Sequence, residues 1–276
     1  MALLDVVSGL MRRVAAETVM PRFQALAAEE IAEKSPGEVV TIADRESEER
    51  LTEGLAALGL GARIVGEEAA SRDPSLLDNV GEGLVWLIDP LDGTANFAGG
   101  HGPFGMMVAL VDDGEPVMGW MLDPQSGRMC LAERGKGASC DGVAVRIRDG
   151  QHDRPVAALA TQFMSATRRE SVHAAARRHF AQVPIPRCAA ESYPRLVFGS
   201  NQLALFQRIL PWDHAPGVLF LTEAGGQATH WDRRPYRVGG TGTGLLVAAG
   251  MAHWEAGAEL LLAPQGGLFD METRVA

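Results

Sequence analysis

The sequence predicts an α+β protein built in layers, or a layered α/β one. Helical patterns come first, followed by a run of consecutive strand patterns, and the second half alternates strands with helices. That order does not describe a simple doubly wound sheet. Several predicted elements also begin or end on carboxylates, as expected where element ends converge on one edge of a layered protein.

Residues 2 to 33 read as helix, with Leu3, Leu4, Val7, Leu10, Met11 and Val14 on one face, and Pro21 is expected to kink or split it. The opening mixes charges into an amphipathic pattern and lacks the basic start and small-residue cleavage site of a signal peptide. "KSPGEVV" predicts a turn leading into a helix from Thr41 to about Leu58-Gly59. Thr41 and Asp44 have the spacing of a capping box, with Asp standing in for Glu. "ARIVGEE" predicts a short strand running into two acids, and "LVWLID" a second strand ending in one. From Phe104 to Leu131 the pattern is β, with Asp113-Gly114 as a hairpin turn. "RGKGASCDG", residues 134 to 142, reads as a Gly-rich loop, and pairing is expected to continue to about Val145.

In the second half "VAALATQ" predicts a strand and "RRESVHAAARRHF" a helix. "ESYPRLVFGS" predicts a helix interrupted by Pro194, and "LALFQRI" a strand. "WDHAPGVLFLTEAGG" predicts a helix closed by Gly225-Gly226. "QATHWDR" and "GLLVAAG" predict strands, and "HWEAGAELLL" the last helix. The polar stretch 148–155 is the expected boundary. It separates a part at 1–147, carrying "GEE" and "DPLDGT", from a part at 148–276, carrying "PWDHAPG".

The chain's 276 residues hold no apolar run of membrane-spanning length. Its net charge of −10, without a substantial basic patch, argues against nucleic acid as a partner. Cys130, Cys140 and Cys188 show no paired spacing and are expected to be reduced thiols of a cytoplasmic protein.

The chemistry lies in the acids. If Glu67, Asp89, Asp92 and Asp213 converge, each pair about 4 Å apart repels by roughly 4 kcal/mol at an effective dielectric near 20. Two or three divalent ions reverse that sign, and an all-oxygen donor set points to Mg²⁺, with Mn²⁺ acceptable and Zn²⁺ disfavoured. Gly93-Thr94, opening a turn or helix after Asp92, exposes backbone N–H groups to an anion, most naturally phosphate. Cations beside an anion cradle fit metal-assisted hydrolysis of a phosphate ester, with no Cys, Ser or His nucleophile required.

These residues resemble the inositol monophosphatase family of Mg²⁺-dependent, lithium-sensitive sugar phosphatases. The resemblance rests on "KSPGEVVTIAD" (34–44), "GEE" (66–68), "WLIDPLDGTANF" (86–97), "RGKGASCDG" (134–142) and "PWDHAPGVLFLTEAGG" (211–226), in the family's order. It implies an α-β-α-β-α layered sandwich assembled as a homodimer. It also implies metal binding by Glu67, Asp89 and the Leu91 carbonyl at one position, and by Asp89, Asp92 and Asp213 at a second. Glu67 would help with a third, weaker ion. Gly93 and Thr94 would bind phosphate, and Thr94 paired with Asp44 would orient and deprotonate the attacking water. Lithium inhibition is expected on the same ground.

One departure concerns the substrate. Inositol-hydrolysing members carry a glutamate seven positions before the last metal aspartate, and counting back from Asp213 gives Phe206. The segment that usually reads Gly-small-Ala-Ala is here "RCAAE", so Arg187, Cys188 and Ala189 stand where the substrate should lie. The implied substrate is an inositol phosphate or a similar small polyol phosphate. Alternatives are a bisphosphate nucleotide, fructose 1,6-bisphosphate, histidinol phosphate or NADP. A haloacid-dehalogenase-type phosphatase would space its aspartates two apart near the N-terminus, whereas Asp89 and Asp92 lie three apart around Pro90. A non-catalytic binding protein on the same fold is the reading from a different class. His214, His101, Trp86 and Trp212 are expected to pack or support, and Glu68 to pair rather than ligate.

Overall fold

The computed structural model describes residues 2–35, 37–148 and 153–262. A seven-stranded sheet runs in the order β3-β4-β5-β6-β7-β8-β9. Its strands are β3 (Arg63–Gly66), β4 (Leu84–Asp92), β5 (Gly105–Asp112), β6 (Glu115–Leu122), β7 (Met129–Glu133), β8 (Gly137–Cys140) and β9 (Val143–Val145). Only β3 and β4 pair in parallel; the rest are antiparallel neighbours. A five-stranded sheet runs β11-β10-β12-β14-β13, from β10 (Val156–Ala160), β11 (Ala181–Val183), β12 (Leu203–Phe206), β13 (Gln227–His230) and β14 (Leu245–Ala248).

The period-two alternation of strands sorts the core into three clusters, and these define the layers. Trp86, Ile88, Val108 and Trp120 face α1 (Leu3–Val14) and α2 (Ile42–Ala56). Val85, Leu87, Met107 and Ala109 face the other way. They pack on α6 (Ala189–Val197) and α7 (Pro211–Glu223), which also cover one face of the five-stranded sheet through Ala204, Leu245 and Val247. The sheet's outer face, with Leu159, Leu205 and Leu246, lies against α5 (Ala166–Ala176) and α8 (Met251–Leu261). The result is the α-β-α-β-α sandwich. β4 is buried on both faces, which is why it reads as a continuous apolar run.

Some local expectations are corrected. The first helix does not reach residue 33. After Val14 the chain widens into a π-turn at Ala15–Val19, where Thr18 Oγ1 bonds back to Val14 O at 2.6 Å, and then tightens into a 3₁₀ turn at Met20–Arg22 containing Pro21. Ile31–Ser35 (β1) is a strand, recruited by antiparallel pairing with Glu38–Thr41 (β2), whose β-branched residues favour the hairpin over a helix. "RGKGASCDG" is not all loop, because Gly137–Cys140 pairs with β7 after a turn closed by Lys136 N–H on Glu133 O. Two short helices, α3 (Glu67–Arg72) and α4 (Thr94–Ala98), complete the inventory needed for the site. β11 was not anticipated; three residues of parallel edge strand carry too little pattern. The expected boundary at 148–155 falls partly outside the described residues.

Candidate active site

The carboxylates arrive from three elements. Glu67 is the first residue of α3, directly after β3. Asp89 and Asp92 lie near the end of β4, where the register with β5 shifts between them. Pro90 has no N–H to give the ladder, so the strand bulges there and both acids are re-aimed. Asp213 sits in the first turn of α7, behind Pro211. Oxygen atoms of Glu67, Asp89 and Asp213 all lie within 4.8 Å of one another.

Burial dominates their electrostatics. It raises Asp89 well above the usual carboxylate range, with Glu67, Asp92 and Asp213 adding repulsion. Burial likewise raises Asp213, with Glu67 and Asp92 reinforcing it. Asp92 is pushed up to about 6 by burial, against the hydrogen bond that its Oδ2 accepts from Ala190 N–H at 2.6 Å. Asp92 therefore also serves the first turn of α6 and stands a little apart from the other three, while lining the same cleft.

Gly93 follows in a left-handed conformation, φ 82°, where a Cβ would lie 2.9 Å from Pro103 O. Glycine alone satisfies both conditions. Thr94 then opens α4. Its Oγ1 lies 2.9 Å from Asp44 Oδ1 and 2.9 Å from Leu91 O, so its single proton reaches either acceptor. Asp44 occupies the N3 position of α2. Its Oδ2 accepts from Thr41 N–H at 2.8 Å and Thr41 Oγ1 at 2.6 Å, the expected capping box, leaving Oδ1 for Thr94. Burial pushes Asp44 up to about 7, over the opposing effect of the Thr41 hydrogen bonds.

Two site residues were missed in the sequence. Lys34 on β1 donates to Glu67 Oε1 at 2.5 Å and to Glu68 Oε1 at 2.8 Å. Burial works against its charge, yet the two glutamates hold the ammonium above its usual range. Glu48 accepts from the N–H groups of Glu68 (2.7 Å) and Ala69 (2.8 Å), fixing the start of α3, and burial pushes it up to about 7. Glu48 stands one helical turn after Asp44, so the spacing on α2 was the available signal. Lys34 opens the segment "KSPGEVVTIAD", and only the hairpin brings it over Glu67.

The substrate side is formed by Arg187, Cys188, Ala189, Phe206 and Arg208, which line one cleft with Asp92 and Asp213. Cys188 and Ala189 are buried where α6 begins, and Arg187 is exposed just before them. Phe206 is half-buried and stacks on Tyr193, with ring centres 6.0 Å apart. His214 is engaged at both nitrogens: Nδ1 with Tyr193 Oη at 2.8 Å and Nε2 with Arg208 O at 3.2 Å. Burial lowers it to about 4, so it is a neutral packing residue. Trp86 and Trp212 are buried, His101 is an exposed loop residue, and Glu68 pairs with Lys34.

The acid cluster fits divalent metal. Glu67, Asp89 and Asp213 offer only oxygen donors, their oxygens share one small space, and Lys34 alone offsets little of their charge. Asp92 and the Leu91 carbonyl border the same space.

Known proteins resemble the chain in sequence and in fold. The sequence profile of the inositol monophosphatase family matches residues 2–265. An inositol-1-monophosphatase of Mycobacterium leprae is 30% identical, over 80% of this chain and 78% of its own. A fructose-1,6-bisphosphatase/inositol-1-monophosphatase of Aquifex aeolicus is 28% identical, over 73% of this chain and 75% of its own. In fold the chain is similar to an IMPase of Thermotoga maritima, with a TM-score of 0.78 at 23% identity, covering 95% of this chain and 97% of the other.

Proposed function

The chain belongs to the inositol monophosphatase family and is a phosphatase of that type, and from this premise we propose that it hydrolyses the phosphomonoester of a small polyol-like alcohol. We take myo-inositol 1-phosphate as its reference substrate and Mg²⁺ as its metal. The observation that carries the reading is the convergence of Glu67, Asp89 and Asp213 beside the Asp44–Thr94 pair. In this reading Glu67, Asp89, Asp92, Asp213 and the Leu91 carbonyl hold the ions. When bound, the ions supply Lewis-acid stabilisation of phosphate charge and make water more acidic.

The chain's own groups do the rest. Backbone N–H groups at Gly93 and Thr94 receive phosphate oxygens. Thr94 Oγ1 accepts a proton from the attacking water and passes its own to Asp44 Oδ1. A carboxylate whose pKa is raised to about 7 suits that task near neutral pH. Thr41 holds the other Asp44 oxygen, so the accepting atom stays aimed at Thr94. The departing alkoxide takes its proton from solvent at the open side of the cleft. The proposal extends to a cytoplasmic homodimer; the free cysteines support the location and the family resemblance the assembly.

The test is phosphate release from myo-inositol 1-phosphate with Mg²⁺. Asp92→Asn and Asp213→Asn should each lower kcat/KM by about 100-fold or more, the scale of losing a charge-stabilising group. Absence of turnover of myo-inositol 1-phosphate in the wild type overturns the polyol assignment, and full activity in Asp92→Asn overturns the assignment of the acids.

A further inference from the structure

We propose that the cleft selects a phosphomonoester whose alcohol carries a second anionic group, a phosphate or a carboxylate, held by Arg187 and Arg208. This rests on the phosphatase reading above and names the substrate class of the same site.

Arg187 carries the first part of the argument. It is exposed and, among the described residues, its side chain has no ion-pair or hydrogen-bond partner. Its φ is 55°, in the left-handed region that costs an ordinary side chain energy and glycine nothing. Asn96 Nδ2 pins the preceding turn by donating to Pro186 O at 3.0 Å. A strained residue that leaves its own charge unpartnered at the mouth of a reactive cleft points to a ligand that pairs with it.

Arg208 carries the second part. Its guanidinium lies 4.9 Å over the ring of Phe163, itself 53% exposed, and one of its nitrogens pairs with Glu38. These contacts hold the group in place and, among the described residues, leave its other N–H donors open to an acceptor. Arg187 and Arg208 line the same cleft as Asp92 and Asp213, and both also border the space around Gly93 and Thr94. Glu38 is already paired with Arg208, and Asp92 and Asp213, which line the same cleft, are the acids that the proposed function gives to the cations, so Arg187 is the charge left on this side for an incoming anion. An uncharged polyol leaves Arg187 unmatched, and an alcohol bearing an ammonium meets like charge.

The test compares kcat/KM within two matched pairs, in the presence of Mg²⁺. Fructose 1,6-bisphosphate is set against fructose 1-phosphate, and 3-phosphoglycerate against glycerol 1-phosphate; the pairs separate phosphate from carboxylate as the second group. The wild type should favour the doubly anionic member of at least one pair by about tenfold or more, the scale of a charge-assisted hydrogen bond. Arg187→Gly suits the backbone at φ 55° and should fold at least as well. It should lower that preference about tenfold, through KM, with Arg187→Lys in between. Arg187→Glu should improve histidinol phosphate, whose alcohol is cationic, relative to fructose 1,6-bisphosphate. Equal kcat/KM within both pairs, or an equal loss on both members in Arg187→Gly, overturns the proposal. If no substrate releases phosphate, the phosphatase reading is what fails. Calorimetric titration of wild type and Arg187→Gly with fructose 1,6-bisphosphate then decides the subsite: about tenfold tighter wild-type binding keeps it, and equal binding removes it.

Discussion

Asp44 divides its work between its two oxygens. One closes the capping box on Thr41 and the other faces Thr94, so local helix chemistry and the proposed proton transfer share a side chain. Asp44→Asn keeps a cap acceptor but removes the base, and kcat should fall about 100-fold or more while circular dichroism stays unchanged. Asp44 and Glu48 are both raised to about 7, from unfolded values near 4. Raised carboxylates favour the folded state at low pH and lose that contribution as pH climbs through the folded pKa. The window therefore runs from about 4 to about 7, with on the order of 3–4 kcal/mol at stake for each group. Chelator-treated protein should melt higher at pH 5.5 than at pH 7.5, and Glu48→Gln should flatten the difference. A melting temperature that rises with pH over this range contradicts the assignment. At this scale the acids were legible because Pro, Gly and Thr punctuate them in the chain. Lys34 and Glu48 were not, since each matters only through a contact made across the fold.

Among the elements, β4 does the most for the site. Its double burial gave a readable apolar run, and the bulge at Pro90 follows from a residue that cannot donate to the ladder. The hairpin Ile31–Thr41 was not legible, because "AEEIAEKS" favours helix until a partner strand competes for its backbone. The contact between α6 and α7 is equally silent in the sequence. Gly217 on α7 faces the Tyr193 ring so closely that a Cβ would lie 2.0 Å from it. Gly217→Ala should displace that ring, loosen its hydrogen bond to His214 and destabilise the protein by about 1–3 kcal/mol, read as a lower melting temperature. An unchanged melting temperature would mean that the two helices are free to move apart.

Across the whole molecule the layers were legible from element order, while the face each helix covers emerged only from strand alternation in three dimensions. Glu67 and Asp213 come from distant parts of the chain, so an ion that they share ties α3 to α7. Mg²⁺ at about 100 times its dissociation constant should stabilise the fold by about 2.7 kcal/mol, and the melting temperature should drop again on chelation. A magnesium-independent melting temperature would deny the acids their role as ligands.

The acids of the bond-breaking edge come mostly from the seven-stranded sheet, through β3 and β4. Phe206 ends a strand of the five-stranded sheet, and Arg187 and Arg208 sit in the segments that lead into α6 and α7. Descendants of such a chain can exchange one set while inheriting the other intact. A lineage built this way is free to change diet without reinventing its teeth.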